Sequence, residues 1–324
     1  MRIVMMGTGS FAEPTFSALL KNAFPVVGLY TQPDHAGVKI RGSTRLAGSG
    51  MKGIAEQAGI TIFQPASINT PEAIAELQAL APDLLVVAAY GQILKPAVIA
   101  TPKLGAINVH ASLLPKYRGA SPIAHAILNG ETESGVTIIR IVPGLDAGEM
   151  LAQEAVAIAE YETTGELEMR LAALGASLCT RVIQQLQAGP VTGVPQDSAL
   201  VSKAPKFTKD HGLINWAQPA ARIVNHIRAM QPWPTAYTFF HRPGKEPMRI
   251  IINRVQAVEV AQQPGIPGEI ALKPASGFIH VLCGDAQVLQ VDELQPAGKK
   301  RMTAEEFTRG YAIQPGFHFG PEAS

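Results

Sequence analysis

Along the first 190 residues, short apolar runs rich in β-branched side chains alternate with segments whose apolar residues recur every three or four positions. The short runs predict strands at 2–7, 26–31, 61–64, 83–89, 106–111 and 135–142. The periodic segments predict helices at 11–22, 52–58, 71–80, 122–129 and 164–188. Strands that alternate with helices are typical of an α/β domain with a mostly parallel sheet and helices on both faces.

The pattern changes after Gly189-Pro190. Residues 190–208 show no sustained period, which predicts a linker between a first domain at 1–189 and a second at 209–324. In the second domain, one amphipathic helix at 220–230 precedes strand-like runs at 236–240, 248–258, 269–272, 278–282 and 287–294. Short strands in this number and spacing predict a small antiparallel β-barrel.

Composition excludes several classes of protein. With 324 residues, 47% hydrophobic and 16% charged, the chain can bury two cores and is not disordered. Its apolar runs are shorter than the roughly 20 residues of a membrane span. The first residues suit a strand better than a signal peptide, and only Cys179 and Cys283 are present. We therefore expect a cytoplasmic protein without disulfides or a metal site.

Charge is unevenly distributed along the chain. Residues 1–200 hold 13 Lys and Arg against 16 Asp and Glu, a net charge of −3. Residues 201–324 hold 14 against 10, a net charge of +4. This small asymmetry favours an anionic partner for the second domain.

Glycines at the first strand-to-helix junction leave a cofactor hypothesis open. Gly7-Thr-Gly-Ser-Phe-Ala12 has the loose form of a dinucleotide-binding turn. The acidic residue that such a site needs is displaced, because Asp34 comes late, after Gln32-Pro33. A tight turn at this junction explains the glycines without any cofactor, and a nicotinamide dehydrogenase stays an alternative.

Polar residues at 108–115 are the sharper candidates. Asn108 and His110 are two apart on a predicted strand, so their side chains leave the same face. They lie near the carboxyl end of that strand, where open α/β sheets bind ligands. The bend from Ser112 to Pro115 follows, and its backbone could bind a flat heterocycle. A pair of core side chains that bond only within the protein, followed by an ordinary loop, stays the alternative.

Asp146 adds a carboxylate after the next strand, in Pro143-Gly-Leu-Asp-Ala-Gly148. Alone, an Asp between glycines is typical of a turn. Together with an amide and an imidazole, it suits acyl transfer, in which an oxyanion must be stabilised and a proton moved.

These motifs resemble those of the folate-dependent formyltransferases, namely Asn108-Val-His110 with Ser112–Pro115, Arg118-Gly119 and Gly144-Leu-Asp146-Ala-Gly148. Further matching segments over nearly the full length resemble the members that act on tRNA: 31–34, 87–91, 214–216, 232–234 and 294–300. The resemblance implies a Rossmann-like domain with a C-terminal OB-like barrel. It also implies 10-formyltetrahydrofolate as formyl donor, no metal, and initiator methionyl-tRNA as partner of a monomeric enzyme.

The resemblance implies residue roles as well. Asn108 and His110 would polarise the formyl oxygen, and Asp146 would set the charge state of His110. Folate would contact residues of two segments: Ser112, Leu113, Leu114, Pro115, Val87, Tyr90 and Gly91. Position and charge, rather than the resemblance, predict the tRNA contacts. The loop at 35–50 follows the second predicted strand and the other cations cluster near the end of the chain: Lys39, Arg41, Arg45, Lys299 and Lys300. A passive, solvated insertion stays the alternative for the loop.

The chain departs from the family pattern at Val142, where an acidic residue is usual, and in the loop after Asp34. A formyltransferase acting on a small amine, such as a sugar nucleotide, would use the same Asn, His and Asp. It would not need the basic segment 294–300, so this segment favours the tRNA substrate.

Overall fold

The computed structural model describes residues 1–34, 50–258, 265–271 and 278–322. Lys39, Arg41 and Arg45 lie outside these ranges. Two compact units are present. The first holds 1–126, 132–160 and 165–206, and the second holds 127–131, 161–164 and 207–324.

The first unit is built on a seven-stranded sheet. Its strands are β1 (Ile3–Gly7), β2 (Val26–Tyr30), β3 (Ile62–Phe63), β4 (Leu84–Ala88), β5 (Ala106–His110), β6 (Glu133–Arg140) and β7 (Met150–Ala157). Its helices are α1 (Glu13–Lys21), α2 (Gly50–Gln57), α3 (Pro71–Ala79), α4 (Pro96–Ile99), α5 (Pro122–Leu128) and α6 (Thr164–Ala188). The strand order is β3-β2-β1-β4-β5-β6-β7.

Strands β1 to β5 pair in parallel, whereas β6 and β7 are antiparallel. All five residues of β1 and of β4 are buried, as expected for central strands covered on both faces. The predicted Rossmann-like, mostly parallel sheet is therefore confirmed. The sequence did not predict β7, whose residues are only half-buried or exposed.

The second unit contains α7 (Ala220–Ala229), α8 (Ala304–Tyr311) and one antiparallel sheet. Its strands are β8 (Tyr237–Arg242), β9 (Lys245–Val258), β10 (Ile270–Ala271), β11 (Ile279–Leu282), β12 (Val288–Pro296), β13 (Met302–Thr303) and β14 (His318–Gly320). The order is β10-β11-β12-β9-β8-β14, with β13 beside β12. A bridge from Glu269 to His318 joins the two ends, which closes the sheet as a barrel requires.

Aromatic rings fill the barrel. Phe240 is fully buried, and the ring centroids of Phe307, Phe317 and Phe319 lie 5.3, 5.5 and 5.7 Å from its own. The strand pattern predicted the barrel, but α8 and β14 went unnoticed. Helix α8 does carry a local signal, because Thr303 and Glu306 form a reciprocal capping box at its start.

Two expectations from composition concern the membrane and the thiols. Within the described ranges, no helix is both long enough and apolar enough to cross a bilayer. Cys179 and Cys283 are both free and buried, and burial raises the pKa of each thiol to about 12. Neither thiol ionises at neutral pH, so neither is a nucleophile there.

Candidate active site

Strand β5 presents the amide and the imidazole. It lies between β4 and β6, with Asn108 opposite Val87 on one side and Ile139 on the other. His110 is 5% exposed, and Asn108 is half-buried. Because residues i and i+2 of a strand share a face, both side chains project from the same face of the sheet.

Asp146 reaches these two side chains by a route that the strand pattern did not predict. Since β6 is antiparallel, it ends with Arg140 beside Ile107, near the start of β5. The following loop is closed at its base by a hydrogen bond from the Arg140 amide to the Glu149 carbonyl, 3.0 Å long. Asp146 itself has a left-handed backbone, with φ 46°. The loop thus carries the carboxylate back over β5.

The carboxylate lies between the other two side chains. One oxygen, Oδ1, accepts a hydrogen bond of 3.4 Å from Nδ2 of Asn108. The other, Oδ2, accepts one of 2.8 Å from the Gly119 amide and lies 3.7 Å from Nδ1 of His110. The three residues that the sequence singled out are therefore brought together.

The surroundings of His110 determine its tautomer. Its Nε2 lies 3.0 Å from the carbonyl oxygen of Tyr117. A carbonyl only accepts hydrogen bonds, so Nε2 carries the proton in the neutral ring. Nδ1 is then the basic nitrogen, and it faces Asp146. A proton taken up by His110 arrives on the side of the carboxylate.

Residues 117–119 hold both partners of that pair, because Tyr117 binds His110 and Gly119 binds Asp146. Glycine is required at 119, where φ is 123° and a Cβ would lie 2.7 Å from the carbonyl oxygen of Ala204. The close approach comes from backbone hydrogen bonds between Arg118 and the stretch at 202–204.

The bend at 112–115 is held by two side chains from the antiparallel strands. The Thr137 hydroxyl donates a hydrogen bond of 2.6 Å to the Ser112 carbonyl and accepts one of 3.1 Å from the Leu114 amide. Gln153 donates 2.9 Å to the Leu114 carbonyl. These backbone groups are therefore occupied within the protein, and the bend has a defined shape before any ligand binds.

The end of β4 lies beside β1 and β2. Gln32 donates 3.0 Å to the carbonyl of Tyr90, and Thr8 donates 3.4 Å to the same oxygen. The Tyr90 side chain is 2% exposed and belongs, with Val87, to a buried apolar cluster. Burial raises the pKa of its hydroxyl to about 12. Gly91 has φ 86°, a left-handed conformation that glycine adopts freely.

The glycine turn after β1 has a structural cause. A Cβ at Gly7 would lie 2.7 Å from the Cβ of Ala12 and 2.9 Å from the carbonyl oxygen of Ala88. Close packing of strand and helix therefore explains this glycine without a nucleotide.

In the second unit, Lys299 and Lys300 are exposed on the turn that follows β12. Gly298 in this turn has φ 72°, and the Ala297 amide donates 2.9 Å to the Arg249 carbonyl. The guanidinium of Arg249 lies 4.0 Å from the ring centroid of Tyr237.

Among the residues that the structure describes, no group of three or more His, Cys, Asp or Glu could hold a metal ion.

Comparison with known proteins assigns both units. The family model described as "Formyl transferase" matches residues 1–183, and "Formyl transferase, C-terminal domain" matches residues 206–312. The methionyl-tRNA formyltransferase of Citrifermentans bemidjiense is 43% identical over 98% of this chain and 95% of its own length. That of Acidithiobacillus ferrooxidans is 45% identical over 97% of each chain.

The chain belongs to the methionyl-tRNA formyltransferase family.

Solved structures of other formyltransferases share the fold. An N-formyltransferase from Helicobacter canadensis, described in complex with folinic acid and dTDP-3-aminofucose, superposes with a TM-score of 0.64 at 20% identity. The match covers 89% of this chain and 98% of that one. The methionyl-tRNA formyltransferase from Clostridium thermocellum gives a TM-score of 0.55 at 15% identity, over 79% and 93%. At these identities the likeness shows the architecture alone.

For this formyltransferase, sequence reasoning missed the residues that brace the site. Thr137, Gln153 and Tyr117 act through hydrogen bonds to partners 7 to 39 positions away. Only the apolar run at 135–142 gave Thr137 a strand position. Val142, the departure from the family pattern, is 39% exposed at the start of the Asp146 loop.

Proposed function

We propose that this enzyme transfers the formyl group of 10-formyltetrahydrofolate to the α-amino group of initiator methionyl-tRNA. The observation that carries the proposal is the position of Asp146, whose carboxylate lies within 4 Å of both Asn108 and His110. The family supports it, since curated members at 43–45% identity over nearly the full length are methionyl-tRNA formyltransferases.

The reaction forms one bond and breaks one. The methionyl nitrogen attacks the formyl carbon and forms a tetrahedral intermediate. The bond between the formyl carbon and N10 of the folate then breaks as this intermediate collapses. One proton leaves the attacking amine and one is delivered to N10, so the products are formylmethionyl-tRNA and tetrahydrofolate. The enzyme must therefore stabilise an oxyanion and relay a proton.

Asn108 supplies the oxyanion donor. One N–H of its amide is directed to Asp146, which leaves the second N–H for the formyl oxygen. His110 relays the proton through Nδ1, its basic nitrogen. The Asp146 carboxylate attracts the resulting imidazolium, and the Gly119 amide holds the carboxylate in place.

We place the folate along the ends of β4 and β5. Ser112, Leu113, Leu114 and Pro115 form one wall, with Val87, Tyr90 and Gly91 on the neighbouring strand end. A bend held by Thr137 and Gln153 loses little conformational entropy when a flat pterin binds. Because Val87 and Tyr90 are buried, they shape this wall by packing, and the backbone of Tyr90–Gly91 makes the contact.

For the tRNA we propose two cationic contacts. The exposed Lys299 and Lys300 lie on the barrel of the second unit, and Lys39, Arg41 and Arg45 are proposed from sequence alone. Cations of this kind bind phosphates. We further propose the domain limits 1–189 and 209–324, and a monomeric enzyme in the cytoplasm, where initiator tRNA is charged.

The test is a formylation assay with two acceptors. The protein is incubated with 10-formyltetrahydrofolate and either initiator methionyl-tRNA or an amino-sugar nucleotide, and the products are identified by mass. We expect formylmethionine from the first reaction and no formylated sugar from the second. Formylation of the sugar alone would assign the enzyme to small amines, and transfer to neither would refute the proposal.

A further inference from the structure

One side chain outside the three candidate catalytic residues contacts the Asp146 loop directly. Nε2 of Gln196 donates to the carbonyl oxygen of Asp146 at 2.7 Å and to that of Gly148 at 2.8 Å. Both N–H groups of the amide are thereby used on the loop that presents the carboxylate. Asp146 and Gly148 lie 50 and 48 positions away in sequence.

The orientation of this amide is set from its other end. Oε1 of Gln196 accepts from Nε of Arg118 at 3.0 Å and from a terminal nitrogen, Nη2, at 2.7 Å. A guanidinium is always charged and never accepts, so the amide oxygen must face Arg118 and the nitrogen must face the loop. Every polar atom of the Gln196 side chain is engaged.

Arg118 is itself fixed to the backbone around the site. Its amide donates 2.9 Å to Ser202, and its carbonyl accepts 2.7 Å from Ala204. Its neighbours on either side are Tyr117, which binds His110, and Gly119, which binds Asp146. Hydrogen bonds from Arg118 to Gln196 and from Gln196 to Asp146 thus link the segment that holds the imidazole to the loop that holds the carboxylate.

The loop needs such support, because Asp146 has φ 46° and its neighbour Leu145 is 63% exposed. Left-handed backbone is costly for a residue with a side chain and persists where the surroundings impose it. The hydrogen bond from the Arg140 amide closes the base of the loop, and the bonds from Asn108 and Gly119 hold the Asp146 carboxylate. The backbone at Asp146 needs a further constraint, because the exposed loop buries little apolar surface. Hydrogen bonds to its carbonyls from a fixed amide supply that constraint.

We propose that Gln196, oriented by Arg118, is a positioning residue of the formyl-transfer reaction, which holds the Asp146 carboxylate against Asn108 and His110. The inference rests on the proposed function for its kinetic readout. Removing Gln196 keeps the three proposed catalytic side chains but lets the loop that carries Asp146 move. We therefore expect kcat to fall while substrate binding changes little. Misplacement on the order of 1 Å can cost about 100-fold in rate.

The experiment compares Gln196→Ala and Gln196→Glu with Gln187→Ala, which removes an exposed glutamine from α6. We expect kcat to fall about 10-fold to 100-fold in both Gln196 variants, with KM for folate and tRNA within about 3-fold. The Glu variant keeps the size and the Arg118 partner but lacks both donors, so it tests the hydrogen bonds if the Ala variant folds poorly. Gln187→Ala should match the wild type.

A double variant separates positioning from general stability. In an Asp146→Asn background, Gln196→Ala should cost nothing further, because Gln196 acts through Asp146. Multiplicative losses, or an unchanged kcat in the single variants, would overturn the proposal.

Hydrogen exchange of residues 141–149 gives a readout that does not depend on activity. Exchange should speed up in Gln196→Ala and not in Gln187→Ala. If the wild type formylates no amine but Gln196→Ala still exchanges faster, the proposed function is refuted and the positioning of the Asp146 loop by Gln196 is not. Unchanged exchange in Gln196→Ala would refute that positioning.

Discussion

The two units of this enzyme treat polar side chains in opposite ways. In the first unit, His110 and Asp146 are 5% and 15% exposed, and each is held by a backbone partner. In the second unit, the interior is aromatic, and Lys299 and Lys300 stand exposed on a turn. Chemistry needs groups that are desolvated and fixed, because their interactions weaken in water. Binding a polyanion needs cations that stay solvated and adaptable.

The largest effect is expected from the proposed catalytic pair, Asn108 and His110. His110→Ala and Asn108→Ala should each lower kcat about 100-fold to 1000-fold, because an oxyanion donor or the proton relay is removed. Folate affinity, measured by titration, should change little. His125→Ala is the control, since it removes a histidine of the same unit whose Nε2 bonds the Pro205 carbonyl. Near wild-type turnover in either variant would make the pair structural.

Asp146→Asn should be as damaging as His110→Ala. The carboxamide keeps the volume and loses the charge that faces Nδ1 of His110. Residues that act as one unit are not additive, so the double variant should be little worse than either single one in single-turnover kinetics. If the two losses multiply, Asp146 works independently of His110.

Truncation tests the division between the units. Residues 1–206 should fold, because they contain the whole of the first compact unit, and they should bind folate like the full chain. Without the barrel, KM for methionyl-tRNA should rise by about 100-fold at physiological salt. Tight tRNA binding by the truncated protein would show that the first unit carries recognition alone.

A smaller effect is expected from the barrel cations. Lys299→Ala with Lys300→Ala should weaken tRNA binding. The slope of log affinity against log salt should fall by about 1 for each phosphate that the variant no longer neutralises. The matched pair Lys21→Ala with Lys95→Ala removes two exposed lysines of the first unit. Equal slopes in the two double variants would mean that tRNA affinity depends on the total charge of the protein and not on a contact at Lys299 and Lys300.

The smallest effect concerns pH. Burial lowers the pKa of His226 below its usual value, so this residue is neutral in the folded barrel unit. Below about pH 6.5, the His226 side chain of the unfolded chain binds a proton more readily than that of the folded unit. The contribution of His226 to the free energy of unfolding is therefore complete above this pH and is lost as the pH falls. Both tryptophans, Trp216 and Trp233, lie in this unit and report its melting by fluorescence. His226→Gln should make the Tm drop from pH 8 to pH 5.5 smaller, and an unchanged drop would show that His226 does not contribute to it.

Local pattern was sufficient for much of this protein. Apolar runs predicted β1 and β4, since a strand covered on both faces is apolar throughout. Shorter apolar runs also predicted β2 and β5, although β5 carries two polar side chains. The spacing of Asn108 and His110 placed both side chains on one face, because alternation in a strand is a property of the backbone. The family motifs then indicated Asp146 and the formyl donor.

Tertiary structure decided the rest. The antiparallel course of β6 and β7, the closure of the barrel at Glu269 and His318, and the bracing of the site by Gln153 and Gln196 all depend on distant partners. Gln196 lies in a stretch without period, predicted only as a linker. A hydrogen bond to a residue 50 positions away leaves no periodic trace in the sequence, because its geometry exists only once the chain has folded.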